Sequence, residues 1–223
     1  MQPDSGTEQE LPAGATADGS DTESETFVEA ARRDQIVRAA VAVIADVGYG
    51  KASFVRIAGY AGISPGLITY HFRTKERLIR RVLRDIAARQ DQAMEGDEPV
   101  QGYEDGLRRI VTGHVEHCAA RPEEMAARRE IMAATLTPAL RADIDEHERA
   151  GRTELVDFLL AGQQHGEFRP FDPDTFADAM YGALREVPGV LRRRVGTSAR
   201  DYGRELADLL CTAATGRPPG VTG

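Results

Sequence analysis

The chain has 223 residues, 41% of them hydrophobic, enough to bury a core in one large domain or two modest ones. No apolar run approaches the ~20 residues that cross a bilayer, and the acidic, polar start is unlike a secretory signal, so a membrane partner is not expected and a cytoplasmic location is. Two cysteines, Cys118 and Cys211, fit a reducing compartment rather than a disulfide framework, and the net charge of −8 argues against a polyanionic partner until it is divided along the chain.

The division is uneven. Residues 1–28 carry 7 acids and no Lys or Arg, residues 29–90 carry 12 Lys and Arg against 5 acids, and residues 91–223 carry 16 against 24. The positive charge is therefore concentrated in one segment, where a global isoelectric point hides it.

Residues 1–28 are rich in Ser, Thr, Gly, Asp and Glu, show no apolar face, and read as a disordered acidic tail. A first helix is expected from about Ala30 to Val47, since Ile36, Ala39, Ala40, Val43, Ile44 and Val47 recur at helical spacing and Gly48 supplies a stop. Ser53 can cap a second helix whose inner face is Phe54, Ile57, Ala58 and Ala61, and Gly62 ends it. Ser64 and Pro65 open a third, and Thr74 caps a fourth with Leu78, Ile79, Val82, Leu83 and Ile86 on its apolar side. Met94 to Pro99 reads as a loop. Further helices are expected over about 101–120, 122–136, 138–165, 173–193 and 198–214, with a break at Gly166–Phe171. Nothing alternates like a strand, so the fold class is all-α. The domains expected are a helix-turn-helix unit over 29–76, a helical domain over 77–215 and a disordered end over 216–223.

Two short helices flanking Gly62-Ile63-Ser64 form a helix-turn-helix pattern. Ile68 and Phe72 are spaced to face inward, leaving Leu67, Thr69, Tyr70 and His71 outward or half-outward. Thr69 and Tyr70 carry hydroxyls for phosphates or base edges and apolar surface for thymine methyls. Pro65 and Gly66 lack long side chains and allow close approach. Lys75 suits a phosphate oxygen, and Ser53 and Ser64 can cap, bind phosphate, or both. The stretch IAGYAGISPGLITYHFRTKERLI then resembles the DNA-binding domain of the TetR (tetracycline repressor) family. Ile57, Ala58, Ala61, Gly62, Ile63, Ser64, Gly66, Ile68, His71, Phe72, Thr74, Lys75, Glu76 and Leu78 fit its pattern. Thr69 departs from it: the family usually has Tyr there, often as a phosphate contact, which Tyr70 could take over or which could be lost.

The resemblance implies a helical ligand-binding and dimerisation region after the reader, and double-stranded operator DNA, a small-molecule effector and a second copy of the chain as partners. The segment 128–188 also resembles the C-terminal region of the BetI-like branch. Two apolar stripes support a two-fold interface independently: Phe176, Met180, Ala183, Leu184 and Val187, then Tyr202, Leu206, Leu209, Leu210 and Ala213. One of them could instead close the monomer core. Polar or polarisable groups near apolar faces mark an expected effector pocket: His114, His117, Cys118, Glu130, Met132, Phe158 and Tyr181. His114, His117 and Cys118 share a helix face, but no second ligand set accompanies them, so no metal and no cofactor is expected.

The leading reading is a ligand-responsive repressor that binds pseudo-palindromic DNA as a dimer. A rival enzyme reading rests on Cys118 and His114 as a nucleophile pair and lacks a third, orienting group, so no catalysis is expected. A third reading is a DNA-associated protein that uses the same scaffold to hold a protein partner.

Overall fold

A computed structural model describes residues 19–194, 196 and 198–217. Among them are nine α-helices and no strand: α1 (Gly19–Val47), α2 (Phe54–Ala61), α3 (Pro65–Phe72), α4 (Lys75–Glu95), α5 (Tyr103–Ala120), α6 (Pro122–Met132), α7 (Pro138–Gln164), α8 (Pro173–Arg193) and α9 (Ala199–Thr215). Helix α1 starts at Gly19, so the stretch 19–28, expected as part of a disordered tail, is helical. The rest of the expected tail and residues 218–223 lie outside the described residues. Helix α6 ends at Met132, earlier than expected.

The short helices are fixed by their ends. Ser53 Oγ accepts from Arg56 N at 3.3 Å and Ser64 Oγ from Leu67 N at 3.3 Å, and Thr74 caps α4 in the same way. Gly62 closes α2 at φ 67°, while Ile63 N donates to Ala58 O at 3.0 Å. Ile36, Ile44, Ile57, Ile68, Leu78 and Ile79 are fully buried and form the small core shared by α1 to α4. Each such side chain contributes roughly 1.5–3 kcal/mol of transfer free energy.

Helix α5 is the axis of the C-terminal body, packed by α4, α6, α7, α8 and α9. Its N-terminus has no local side-chain cap; Glu167, from the loop after α7, accepts from Tyr103 N at 2.7 Å and Glu104 N at 3.1 Å instead. Helix α9 turns Gly203, Ala207, Cys211 and Ala214 toward α5. The expected stripe on α8 is consumed within the monomer: Met180, Leu184 and Val187 are buried. On α9, Tyr202, Leu206 and Leu210 are half-buried and pack against the core while Leu209 is 67% exposed, so that stripe is divided between the monomer core and the surface.

The reader joins this body through α4, whose buried Leu78, Ile79, Val82 and Ile86 lie where it meets α1, α3 and α5. Arg80 pairs with Asp143 of α7 and Arg81 with Asp34 of α1, so neither belongs to a purely solvated face. At its far end α4 touches α5 backbone to backbone. A Cβ at Gly113 would stand 2.1 Å from the Ala93 carbonyl oxygen. Gly113→Ala should therefore force α4 off α5 and lower the stability by about 1–3 kcal/mol, read as an earlier denaturant midpoint. An unchanged midpoint would show that the two helices separate freely.

Candidate nucleic-acid interface and effector region

Helix α3 is held by its inner face and offers the other. Ile68 and Phe72 are buried, Leu67 and His71 half-buried, and Ser64, Pro65, Gly66 and Thr69 exposed, with Tyr70 at 68% exposure. This is the division expected from the spacing. At Gly66 an added Cβ would meet only Ser64 Oγ, at 3.9 Å, so the start of the helix is open to close approach. Thr69 Oγ1 donates back to Pro65 O at 3.2 Å, which leaves its lone pairs and methyl for the outer surface. Tyr70 donates its hydroxyl proton to Glu29 Oε1 at 3.4 Å, and its ring meets the His71 ring edge-on at 5.0 Å. Burial, with Arg33 and Arg32 nearby, lowers the His71 pKa, and its Nδ1 has no partner among the described residues.

Lys75 departs from the expectation of an available surface cation. It is half-buried, its ammonium donates to the Tyr49 carbonyl at 2.5 Å and sits 4.1 Å over the Tyr49 ring, and burial lowers its pKa. Its position at the first residue of α4, opposite the α1–α2 loop, makes it a fastener first. Sequence reasoning missed two residues here. Glu29 reaches the reading helix from α1, a contact between positions 41 apart that no local pattern carries. Arg73, which closes α3, is the other; it stands at positive φ where α1, α2, α4 and α9 are followed by glycine.

The expected effector residues do not form one pocket. His114, His117 and Cys118 are buried together on α5. His114 Nε2 is 3.0 Å from Leu184 O of α8; a carbonyl only accepts, so Nε2 carries the proton and Nδ1 is a bare acceptor. That Nδ1 and His117 Nε2 have no partner among the described residues. Cys118 Sγ lies 3.5 Å from His114 Nε2. Burial pushes His114 down to about 4 and Cys118 up to about 11, so at neutral pH the pair is imidazole and thiol rather than an activated nucleophile.

The other four point elsewhere. Phe158 packs with Tyr103 and Phe168 and against Gly106, roughly 12 Å along α5 from His114. Glu130 pairs with Arg129 and reaches Gly48 at the end of α1. Met132 ends α6, and Tyr181 faces Gly151 of α7. The two cavities described are shallow grooves of about 350 Å³ along α1, beside Val28, Arg32 and Arg38, and about 210 Å³ between Ala93, Gly96, Arg109 and Gly113. None of the seven residues lines either. Among the described residues no group of three or more His, Cys, Asp or Glu could hold a metal ion, and no helix is long and apolar enough to cross a membrane.

Residues 36–82 match the family described as bacterial regulatory proteins, tetR family, and residues 100–214 match the tetracyclin repressor-like C-terminal domain. The chain belongs to the tetR family of bacterial regulatory proteins. It is 30% identical over 171 residues to the HTH-type transcriptional repressor KstR2 of Mycolicibacterium smegmatis, covering 72% of this chain and 78% of that one. It is 27% identical over 184 residues to the HTH-type transcriptional regulator BetI of Cronobacter sakazakii, covering 81% and 87%. Matches to BetI-named regulators of Chromohalobacter salexigens and Stenotrophomonas maltophilia are shorter and span only 38% and 46% of those proteins. A crystal structure of a TetR-family regulator from a Rhodococcus species superposes with a TM-score of 0.69 at 28% identity, over 81% of this chain and 98% of that chain.

The buried histidine gives a pH dependence whose sign is fixed. His114 binds its proton less readily folded than unfolded, so between about pH 6.5 and 4 the unfolded state holds the extra proton, and stability falls as the pH falls through that window. The loss from this group is about 3 kcal/mol once the pH is below 4. Denaturant titrations at pH 7 and pH 4.5 should show a smaller difference for His114→Gln than for the unaltered chain. Equal differences would place His114 outside the acid response.

Proposed function

We propose that this tetR-family chain is a dimeric transcriptional repressor that reads a pseudo-palindromic operator with α3 and lets go when a small molecule occupies its C-terminal body. The observation that carries this is α3 itself. It is a rigid, capped helix with a buried Ile68–Phe72 anchor and an outward Ser64–Tyr70 face, within the one segment of an acidic chain where positive charge is in excess. Ser53, Ser64, Pro65, Gly66, Leu67, Thr69, Tyr70 and His71 are the contacts assigned to DNA. Lys75 acts chiefly by setting the angle between α4 and the α1–α2 loop.

One α3 reaches too few base pairs for specificity; two, about 34 Å apart, read successive major grooves. The apolar outer stripe of α9 around Leu209 is the surface assigned to the second copy. The effector region is assigned to His114, His117 and Cys118 on α5, where two buried ring nitrogens lack partners among the described residues. Release requires only that the effector favour an arrangement of α4 that misplaces the two readers.

Leu209→Arg should turn a dimer into a monomer in sedimentation and abolish specific DNA binding while leaving the helical content unchanged. Tyr70→Ala should weaken binding to operator more than binding to a scrambled duplex of the same length. A dimer that survives Leu209→Arg would move the interface off α9, and equal weakening on both duplexes would remove Tyr70 from the base-reading face.

A further inference from the structure

We infer that Arg73, exposed and without a partner among the described residues at the end of the reading helix, is a DNA-backbone contact. The inference rests on the reading of α3 given above. Arg73 is the C-cap of α3, at φ 60° and ψ −47°, and is the one non-glycine residue with positive φ among the described residues. The other positive-φ positions among the described residues are glycines, as at Gly48, Gly62, Gly96 and Gly216, which follow α1, α2, α4 and α9. A side chain at positive φ is strained, and glycine would relieve it.

The backbone of Arg73 is fully accounted for, because its N–H donates to Thr69 O at 2.9 Å and the turn into α4 follows directly. The Thr74 N–H donates to Phe72 O at 2.6 Å across it, so the tight turn from α3 into α4 sets the positive φ and fixes where the side chain leaves the helix end. The guanidinium is exposed and has no hydrogen bond or ion pair among the described residues, whereas Arg80 and Arg81, one helix further on, are both committed to carboxylates. A cation near a helix C-terminus gains something from the dipole, but only part of what the conformation costs.

The second observation is Lys75. Its ammonium, two positions further along and the expected phosphate ligand, is turned inward onto Tyr49. That leaves Arg73 as the cation that projects directly from the end of the reader. A planar, always-charged guanidinium is suited to two phosphate oxygens at once. Such a contact positions the helix and carries no sequence information.

The test compares Arg73→Gly, Arg73→Lys and Tyr70→Ala with the unaltered full-length chain. Each is titrated by fluorescence anisotropy against an operator duplex recovered from genomic fragments and against a scrambled duplex, from 50 to 200 mM salt. Arg73→Gly should melt at a higher temperature yet bind both duplexes about ten-fold more weakly at low salt, with the slope of log affinity on log salt shallower by about two per dimer. Arg73→Lys should keep most of the slope. An Arg73→Gly protein with an unchanged slope on both duplexes would overturn the inference. If Tyr70→Ala also binds operator like the unaltered chain, the assignment of α3 as reader fails instead, whatever Arg73 does.

Discussion

The apolar face of α4 is the constraint on which the rest of the molecule depends. Leu78, Ile79, Val82 and Ile86 are buried where the helix meets α1, α3 and α5, so one rigid element belongs both to the small reading unit and to the large C-terminal body. Its two ends are fastened differently. At the N-terminal end Lys75 is locked onto Tyr49 by a hydrogen bond and a cation–π contact, and Arg81 reaches Asp34. At the C-terminal end Gly113 allows the backbones of α4 and α5 to touch, and Arg109 donates to the carbonyls of Glu95 and Glu98. The helix is thus pinned to the reading unit at one end and to α5 at the other.

The electrostatics are divided along the same line. Most of the cations of the reading segment that lie on α4 are spent on structure: Arg80, Arg81 and Arg89 hold Asp143, Asp34 and Glu124. Exposed pairs of this kind contribute little to stability individually. Within residues 29–90 the cations left exposed are Arg38 on α1, Lys51, Arg56, Arg73 and Arg77 on or beside α2, α3 and the start of α4, and Arg84 in the middle of α4. Glu29 reaches α3 from α1 and accepts the Tyr70 hydroxyl proton at 3.4 Å.

The fold was legible where local chemistry sets it. Ser53, Gly62, Ser64 and Thr74 announce helix ends by capping rules that need no tertiary information, and all act as expected. The inner face of α3 was equally readable, since Ile68 and Phe72 have no polar alternative. What escaped the sequence depends on contacts between distant positions. Lys75 looks like a phosphate ligand until the Tyr49 carbonyl is placed beside it, and Glu167 looks like a loop acid until α5 presents its bare N-terminal amides. Met180, Leu184 and Val187 of the α8 stripe are buried within the monomer, whereas the α9 stripe is split, with Tyr202, Leu206 and Leu210 against the core and Leu209 exposed. The effector residues were the least legible. His114, His117 and Cys118 do meet, but Phe158 and Glu130 face other neighbours, because helical periodicity fixes a face and not the helix that covers it.

The C-terminal body holds buried histidine nitrogens without partners among the described residues, and the reading unit holds a capped helix with an open polar face. The two are joined by α4, and the account stands or falls on what α3 reads. The most direct measurement is recovery and sequencing of the genomic fragments that the purified full-length chain retains at physiological salt. The account predicts one inverted-repeat motif whose half-sites are centred about one helical turn apart or a multiple of it. Fragments enriched without any shared repeat, or no enrichment over bulk DNA, would contradict it.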